Sequence, residues 1–138
     1  MKVKYVLLYD TMTYNTYFFS KKVQERDKKI FICNIKDTEK YDYLFDENTK
    51  FHLITYTIGE GLIPNSTINF IENNYPRYEI KTISSTGQKN WGKDLFAVAV
   101  DKVVEKFPSI KAGLKVELQG TNQDITKIIK IIKEEKYV

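Results

Sequence analysis

One stretch near the beginning of the chain decides its fold, and it reads Val3-Lys4-Tyr5-Val6-Leu7-Leu8-Tyr9-Asp10-Thr11-Met12-Thr13-Tyr14-Asn15-Thr16. Residues 3–9 are nearly all apolar, which is typical of a strand that is buried on both faces. A polar turn with several hydroxyl groups follows, and residues 16–25 form a predicted helix with Phe19 and Val23 four residues apart. A buried strand, a polar loop and a helix in this order are typical of an α/β sheet.

The same kinds of element return along the rest of the chain. Apolar and β-branched runs predict strands at 30–35, 51–57 and 78–84, and residues 38–50 form a polar surface connection with a helical turn. Helices are predicted from Pro64 to before Pro76 and over residues 94–107, where Pro108 ends an apolar segment. Strands therefore alternate with helices along most of the chain.

The last part of the chain supplies an edge strand and a closing helix. Residues 114–118 alternate between apolar and polar side chains, as a half-exposed strand at the edge of a sheet does. Thr121 and Asp124 have the spacing of a capping box. They precede a helix whose apolar stripe consists of Ile125, Ile128, Ile129 and Ile132. We therefore expect an α/β fold, a flavodoxin-like, three-layer, doubly wound sheet of five parallel strands in the order 2-1-3-4-5.

Composition and charge exclude several other classes of protein. The 138 residues suit a single domain over residues 1–138, and no apolar run approaches the roughly 20 residues that cross a bilayer. The net charge of +4 is mixed with acidic residues and forms no basic stripe, so we expect no nucleic-acid partner. Cys33 has no second cysteine to pair with, and Asp10 interrupts the first apolar run too early for a signal peptide. A cytoplasmic protein without a membrane partner is the expectation.

Three loops, each between a predicted strand and the helix that follows it, carry the residues that suggest a function. In a parallel α/β sheet such loops emerge at the carboxyl edge, where ligands bind at the topological switch point. The first loop offers hydroxyl groups for a phosphate at a helix N-terminus, and the other two combine glycine with an aromatic ring that suits a flat ligand. Together they predict a site for flavin mononucleotide (FMN). The candidate residues are Asp10, Thr11, Met12, Thr13, Tyr14, Asn15 and Thr16 in the first loop, Tyr56, Thr57, Ile58, Gly59, Glu60 and Gly61 in the second, and Ser85, Thr86, Gly87, Asn90, Trp91 and Gly92 in the third.

The first loop is similar to the phosphate-binding fingerprint of flavodoxins, Thr-x-Thr-Gly-Asn-Thr, which residues 11–16 match except at Tyr14. If this position requires a positive φ, a tyrosine is strained where the fingerprint has glycine. If Tyr14 is instead the first helical residue, the substitution costs little and its amide still faces the phosphate. The alternative for the whole loop is a turn that only caps the helix.

The other two loops also have a structural alternative. Gly59 and Gly61 permit close approach to a ring and a peptide flip, but they can also form a simple turn before the helix at Pro64. Trp91 lies in a segment too polar for the core, which favours contact with a ring over ordinary packing. His52 lacks a second histidine or a cysteine at metal-ligand spacing. We therefore predict no metal site and no catalytic side chain, and any redox chemistry must come from a cofactor.

Four segments in order along the chain resemble the NrdI family of flavoproteins that stimulate ribonucleotide reductase. They are residues 9–16; residues 53–57 followed by Pro64-Asn65-Ser66-Thr67, similar to the family's Val-Pro-x-x-Thr; residues 85–92, similar to Ser-Gly-Asn-x-x-Trp/Phe-Gly; and residues 117–125, similar to Phe-Glu-Leu-x-Gly-Thr-x-x-Asp-Val. The last two segments distinguish this family from ordinary flavodoxins. The chain departs from the family at Tyr14, Gln88 and Lys93.

The resemblance implies a small FMN protein, a redox accessory and not a conventional enzyme, that works with a class Ib ribonucleotide reductase. In the family, reduced flavin reacts with O2 to give an oxidant, taken to be superoxide, which helps to assemble the metal site of the reductase small subunit. Delivery of electrons to that site is the other form of this function, and a reductase of the flavodoxin or thioredoxin type is a further partner. Two alternatives stay open: a general flavodoxin-like electron carrier, and a binding module that has lost its flavin, which Tyr14 motivates.

Overall fold

The computed structural model describes residues 2–59, 61–74 and 77–134, and these residues contain one five-stranded sheet. Its strands are β1 (Tyr5–Tyr9), β2 (Ile30–Asn34), β3 (Lys50–Tyr56), β4 (Ile80–Gly87) and β5 (Lys111–Glu117). Neighbouring strands are parallel and their order is β2-β1-β3-β4-β5, which confirms the predicted topology. The chain winds in one direction from β1 to β2 and in the other from β3 to β5, so the switch point lies between β1 and β3.

Helices cover both faces of this sheet. Within the described ranges they are α1 (Asn15–Arg26), α2 (Thr38–Tyr41), α3 (Asn65–Asn74), α4 (Ala99–Lys106) and α5 (Asn122–Ile132). The single turn α2 lies between two 3-10 turns, so the connection from β2 to β3 does contain helical turns. In these ranges no helix combines the length and the apolar character needed to cross a membrane.

Alternate residues of the central strands point to opposite faces and build two separate cores. Leu8 and Leu53 are buried in one cluster with apolar residues of α3 and α4. Leu7 and Ile54 are buried in the other cluster with apolar residues of α1 and α5, including Phe19. The resulting three layers bury β1 and β3 on both faces, which is why their sequences are apolar without alternation.

The strand β4 is longer at its carboxyl end than the sequence predicts. It continues to Gly87 instead of ending at residue 84, because Ser85 and Thr86 remain paired with both β3 and β5. The hydroxyl group of Ser84 accepts the N–H of Leu114 at 2.9 Å, beside a shift in the register between β4 and β5. Ser84, Ser85 and Thr86 have side chains that are typical of a loop, yet all three are buried within this strand.

Other boundaries also move. α4 begins at Ala99 and not at residue 94, because Ala97 has a φ of 47° that interrupts the helical backbone. β5 begins at residue 111 and ends at 117, since Leu118 has a φ of 52° and belongs to the following turn. β1 begins at residue 5, two residues after the predicted start. α3 begins at Asn65, directly after Pro64, and ends at residue 74, while Pro76 lies outside the described residues.

The capping box before the last helix is present as predicted. Asp124 donates its backbone N–H to the Thr121 hydroxyl at 3.2 Å, and its carboxylate accepts the backbone N–H of Thr121 at 2.9 Å. These reciprocal bonds satisfy two N–H groups that the helix start would otherwise leave unpaired.

Candidate functional site

The loops that follow β1, β3 and β4 meet at the carboxyl edge of the sheet and enclose a cleft of about 190 Å³. The sequence-predicted residues that line it are Met12, Thr13, Asn15, Tyr56, Thr57, Ile58, Gly59, Thr86, Gly87 and Trp91. Because β1 and β3 form the switch point, the cleft lies where an open α/β sheet binds its ligands.

The remaining candidate residues lie beside the cleft and are not part of its lining. Those in the loops are Thr11, Tyr14, Gly61, Asn90 and Gly92, and those buried in or below them are Asp10, Thr16 and Ser85. Glu60 lies outside the described residues. Gln88, Leu95 and Ala97 line the cleft but were not among the candidates. Leu95 and Ala97 follow a helical apolar pattern, so nothing in the sequence marks them as loop residues.

Tyr14 has a φ of 66° and a ψ of 1°, so the first loop does require a left-handed backbone at this position. Of the two alternatives for Tyr14, the strained one is therefore correct. A left-handed residue with a Cβ atom costs about 1–2 kcal/mol. Its side chain is 63% exposed, and its ring centroid lies 6.4 Å from that of Phe18 in α1. The loop adopts the conformation that glycine favours, although it has no glycine.

The Thr11 hydroxyl group is buried next to this turn. Within the described part of the chain, its Oγ1 atom has no hydrogen-bond partner, although buried hydroxyl groups are normally bonded. Thr16, in contrast, donates its hydroxyl proton to the carbonyl oxygen of Asp10 at 2.7 Å and closes the loop. The first N–H groups of α1 also lack partners within the helix, as at every helix start. An anion with several acceptor oxygens would satisfy these donors, so the loop fits a phosphate group.

Asp10 points away from the cleft and towards α3. It is only 2% exposed, and its Oδ2 atom accepts hydrogen bonds from the hydroxyl groups of Ser66 and Thr67, the latter at 2.7 Å. The Thr67 Oγ1 atom also lies 2.6 Å from that of Thr55 in β3. Asp10 was predicted as part of the cofactor loop, and the tertiary structure places its carboxylate in a buried polar network beside that loop. Ser66 and Thr67 were visible in the sequence only through the family resemblance.

The second loop is a tight turn closed by an antiparallel bridge between Ile58 and Leu62. Gly59 and Gly61 both have positive φ, 48° and 98°. A Cβ atom at Gly61 would lie 2.7 Å from the side chain of Val98, whereas one at Gly59 would have no neighbouring heavy atom of the described residues within 4 Å. Gly61 is therefore required both by conformation and by close packing, and Gly59 by conformation alone.

The third loop begins where β4 ends. A Cβ atom at Gly87 would lie 2.7 Å from the backbone nitrogen of Ala97, so glycine permits a close approach of two backbone segments. The Thr57 hydroxyl group lies 3.1 Å from that of Ser85 and accepts the N–H of Ala99 at 3.3 Å, which ties the second and third loops together. Trp91 lies in a 3-10 turn and is 48% exposed while lining the cleft.

The described residues of the cleft offer binding groups and no acid–base pair. Burial, and then the charge of Asp10, raises the pKa of Tyr56, so this phenol stays neutral near pH 7. His52 lies at the opposite edge of the sheet, with Nδ1 2.8 Å from the Thr82 hydroxyl, and burial lowers its pKa to about 4. Burial raises the pKa of Cys33 to about 12. In the same part of the chain no group of three or more His, Cys, Asp or Glu side chains is placed to hold a metal ion.

Solved structures with the same arrangement are flavodoxins. A short-chain flavodoxin associated with a non-canonical PDU bacterial microcompartment superimposes with a TM-score of 0.64, covering 94% of this chain and 93% of that one at 20% identity. Oxidised flavodoxin 2 from Bacillus cereus has a TM-score of 0.61 and 20% identity, covering 94% of this chain and 95% of that one. At this level of identity the likeness shows the fold alone.

Sequence relatives are more specific. The SPbeta prophage-derived protein NrdI of Bacillus subtilis is 44% identical over 82 residues, which are 59% of this chain and 60% of that protein. Protein NrdI of Bacillus licheniformis is 33% identical over 119 residues, which are 86% of this chain and 80% of that protein. The family described as NrdI flavodoxin-like matches residues 7–130. Because this match covers most of the chain, the chain belongs to the NrdI flavodoxin-like family.

Proposed function

We propose that this chain binds FMN in the cleft and, with the bound flavin, activates a class Ib ribonucleotide reductase. The observation that carries the proposal is the meeting of three loops at one cleft, at the switch point, in a member of the NrdI flavodoxin-like family. The unpartnered hydroxyl group of Thr11 supports a phosphate site beside this cleft. Tyr56 and Trp91 in its lining support a flat aromatic ligand.

The chain's own residues bind and orient the cofactor in this proposal. The hydroxyl groups of Thr11 and Thr13, with the N–H groups at the start of α1, would hold the phosphate. Gly59 leaves the backbone accessible to the ring, and Tyr56 and Trp91 would contact it. When bound, FMN supplies electron transfer and reaction with O2, chemistry that the described side chains of the cleft do not offer.

The proposed recipient is the metal site of the reductase small subunit, and the proposed oxidant is superoxide. Electrons delivered directly to that site are the second form of the same function. A flavodoxin-type or thioredoxin-type reductase would return the flavin to its reduced form. We also propose that this exchange takes place in the cytoplasm, without a membrane or a nucleic acid as partner.

The surface around the cleft supports a protein as the partner. Most of the exposed large apolar side chains in the described ranges lie on or near the three loops and the turn after β5, and they are Met12, Tyr14, Phe18, Leu62, Trp91 and Leu118. Apolar residues gathered in one region of an otherwise polar surface are typical of an interaction site. A partner that covers this rim would also exclude bulk water from the cleft.

A fluorescence titration tests the cofactor. Trp91 is the only tryptophan of the chain, so protein emission has one tryptophan source. FMN should quench this emission strongly as it binds, with a dissociation constant in the micromolar range or below. FMN can also lower protein emission by absorbing light. The control is the variant Trp91→Phe, whose FMN binding is measured by flavin fluorescence. Emission that does not respond to saturating FMN would contradict ring contact by Trp91, and a colourless protein that takes up no FMN would favour the flavin-free binding module.

Assembly of the reductase cofactor tests the partner. A class Ib small subunit loaded with metal should gain activity when the reduced FMN-loaded protein and O2 are added together. Superoxide dismutase should lower the yield if superoxide is the oxidant, and it should have no effect if electrons are delivered directly. A protein that reduces other electron acceptors but leaves the small subunit inactive would favour the general electron carrier.

A further inference from the structure

A buried hydrogen-bond network, here called the Asp10 brace, joins the first loop to α3 below the cleft. It consists of Asp10, Ser66, Thr67 and Thr55. Asp10 and the two threonines are 2% exposed or less. The carboxylate accepts from both hydroxyl groups of α3, and Thr67 is also bonded to Thr55 in β3. Side chains from three separate segments are therefore held together in the interior.

We propose that Asp10 is a positioning residue, which sets the separation of the first two loops and does not itself bind the cofactor. The inference rests on the proposed FMN site. On one side, Asp10 precedes Thr11 directly and its carbonyl oxygen holds the Thr16 hydroxyl group. On the other side, α3 begins only three residues after Leu62, which closes the second loop. Movement of the Asp10 carboxylate would therefore be transmitted to both walls of the cleft.

The chemistry of the brace suits this role. A carboxylate group can accept hydrogen bonds from both hydroxyl groups at once. Its negative charge also lies at the start of α3, where the helix dipole favours it. Charge-assisted hydrogen bonds are about twice as strong as neutral ones, and close-packed interiors transmit small displacements. Asp10 and Thr67 are not part of the cleft lining, whereas Ser66 also bonds to the hydroxyl group of Tyr56, which is part of it.

The test compares two buried threonines whose hydroxyl groups are hydrogen-bonded in the interior. Thr67→Val removes a hydroxyl group from the brace, and Thr82→Val removes the partner of His52 at the opposite edge of the sheet. FMN affinity is measured by flavin fluorescence, unfolding is measured without FMN, and the visible circular dichroism of bound flavin is recorded at saturating FMN. We expect about a tenfold loss of affinity and a changed dichroism spectrum for Thr67→Val. We expect unchanged affinity and spectrum for Thr82→Val, although both variants should lower the unfolding midpoint.

A conservative variant completes the design. Thr67→Ser keeps the hydroxyl group and should restore both the affinity and the spectrum. Ser66→Ala removes the less buried half of the brace, and it should reproduce the loss of affinity if Thr67→Val does not fold. Tyr56→Phe is its control, because it removes only the bond between Ser66 and the Tyr56 hydroxyl group. Equal affinities of the Thr67→Val and Thr82→Val proteins would overturn the positioning role, while FMN binding by the parent chain remained intact. A parent chain that does not bind FMN at all would instead overturn the proposed function.

Discussion

The two edges of the sheet are built differently. Four non-glycine residues of the described ranges have a positive φ, and three of them, Tyr14, Ala97 and Leu118, lie in loops at the carboxyl edge. The fourth, Glu134, follows α5, where a left-handed residue commonly ends a helix. The unpartnered hydroxyl group of Thr11 is also at the carboxyl edge. In the described ranges, left-handed backbone at non-glycine residues is therefore concentrated around the cleft.

The amino edge carries several paired side chains. Lys50 and Glu134 form an ion pair at 3.0 Å, and His52 is bonded to Thr82. Asp42 joins Arg77 and Tyr78 at the start of β4. The side-chain pairs of the amino edge therefore contribute to stability. The carboxyl edge has a strained backbone and N–H and hydroxyl groups that a bound ligand would satisfy. Local strain of this kind persists only where the surrounding structure compensates for it.

The largest expected effect is on binding, at the carboxyl edge. Thr11→Ala combined with Thr13→Ala removes two hydroxyl groups from the proposed phosphate site, and a hydrogen bond to a charged group contributes about 1.5–3 kcal/mol. FMN affinity should fall at least tenfold in a fluorescence titration, while the unfolding free energy without FMN changes little, because Thr11 has no partner to lose. Unchanged affinity would place the phosphate elsewhere.

At the amino edge the expected effect is on stability and depends on pH. The pKa of His52 is about 4 in the folded protein and about 6.5 in the unfolded chain, so protonation favours unfolding. Stability is complete above pH 6.5 and is lost as the pH falls towards 4, by about 3 kcal/mol from this group. Urea unfolding of the parent chain and of His52→Gln between pH 4 and pH 7 measures the difference.

The His52→Gln protein should lose less stability over this range. Lys50 and Glu134 lie near His52, and the pKa of Glu134 is lowered by its bond to Lys50, so both proteins share that additional loss in acid. Identical pH profiles for the two proteins would mean that His52 does not resist protonation. FMN affinity at pH 7 should be the same in both, because His52 is remote from the cleft.

Within the carboxyl edge, substitution of the two glycines of the second loop should cost different amounts of stability. Gly61→Ala places a Cβ atom 2.7 Å from Val98 and adds backbone strain, so the combined loss of stability should be about 2–3 kcal/mol. Gly59→Ala adds only backbone strain, about 1 kcal/mol, because its Cβ atom would meet no atom of the described residues within 4 Å. Thermal unfolding of both variants shows which substitution lowers stability more. Equal losses would show that packing against Val98 adjusts without cost.

The smallest expected effect has the opposite sign. Tyr14→Gly relieves a left-handed tyrosine and should raise the unfolding free energy by up to about 1 kcal/mol, since glycine also loses more entropy on folding. Tyr14→Ala is the matched control, because it removes the ring but keeps the strain. If Tyr14→Gly were less stable than the parent chain, contact of the Tyr14 ring with Phe18 would outweigh the backbone strain.

Local patterns were sufficient for most of the fold. The apolar run before Asp10 predicts β1, the spacing of Thr121 and Asp124 predicts the start of α5, and the alternation of elements predicts the strand order. They were insufficient where a residue's state depends on distant neighbours. Leu95 and Ala97 fit a helical pattern, yet contact between Ala97 and Gly87 keeps this segment in a turn. The end of β4 was missed because Ser85 and Thr86 are typical of a loop, and it is their pairing with β3 and β5 that keeps them in the strand.

The sequence by itself therefore determined the layers, the strand order and the three loops at one edge, because hydrophobic periodicity and turn chemistry act over a few residues. Only the tertiary structure decided what the loop residues do. It placed the Asp10 carboxylate on α3, left the Thr11 hydroxyl group unpartnered and held Tyr14 in the left-handed conformation. These outcomes depend on which side chains from remote segments come into contact. The packing of the whole sheet determines those contacts.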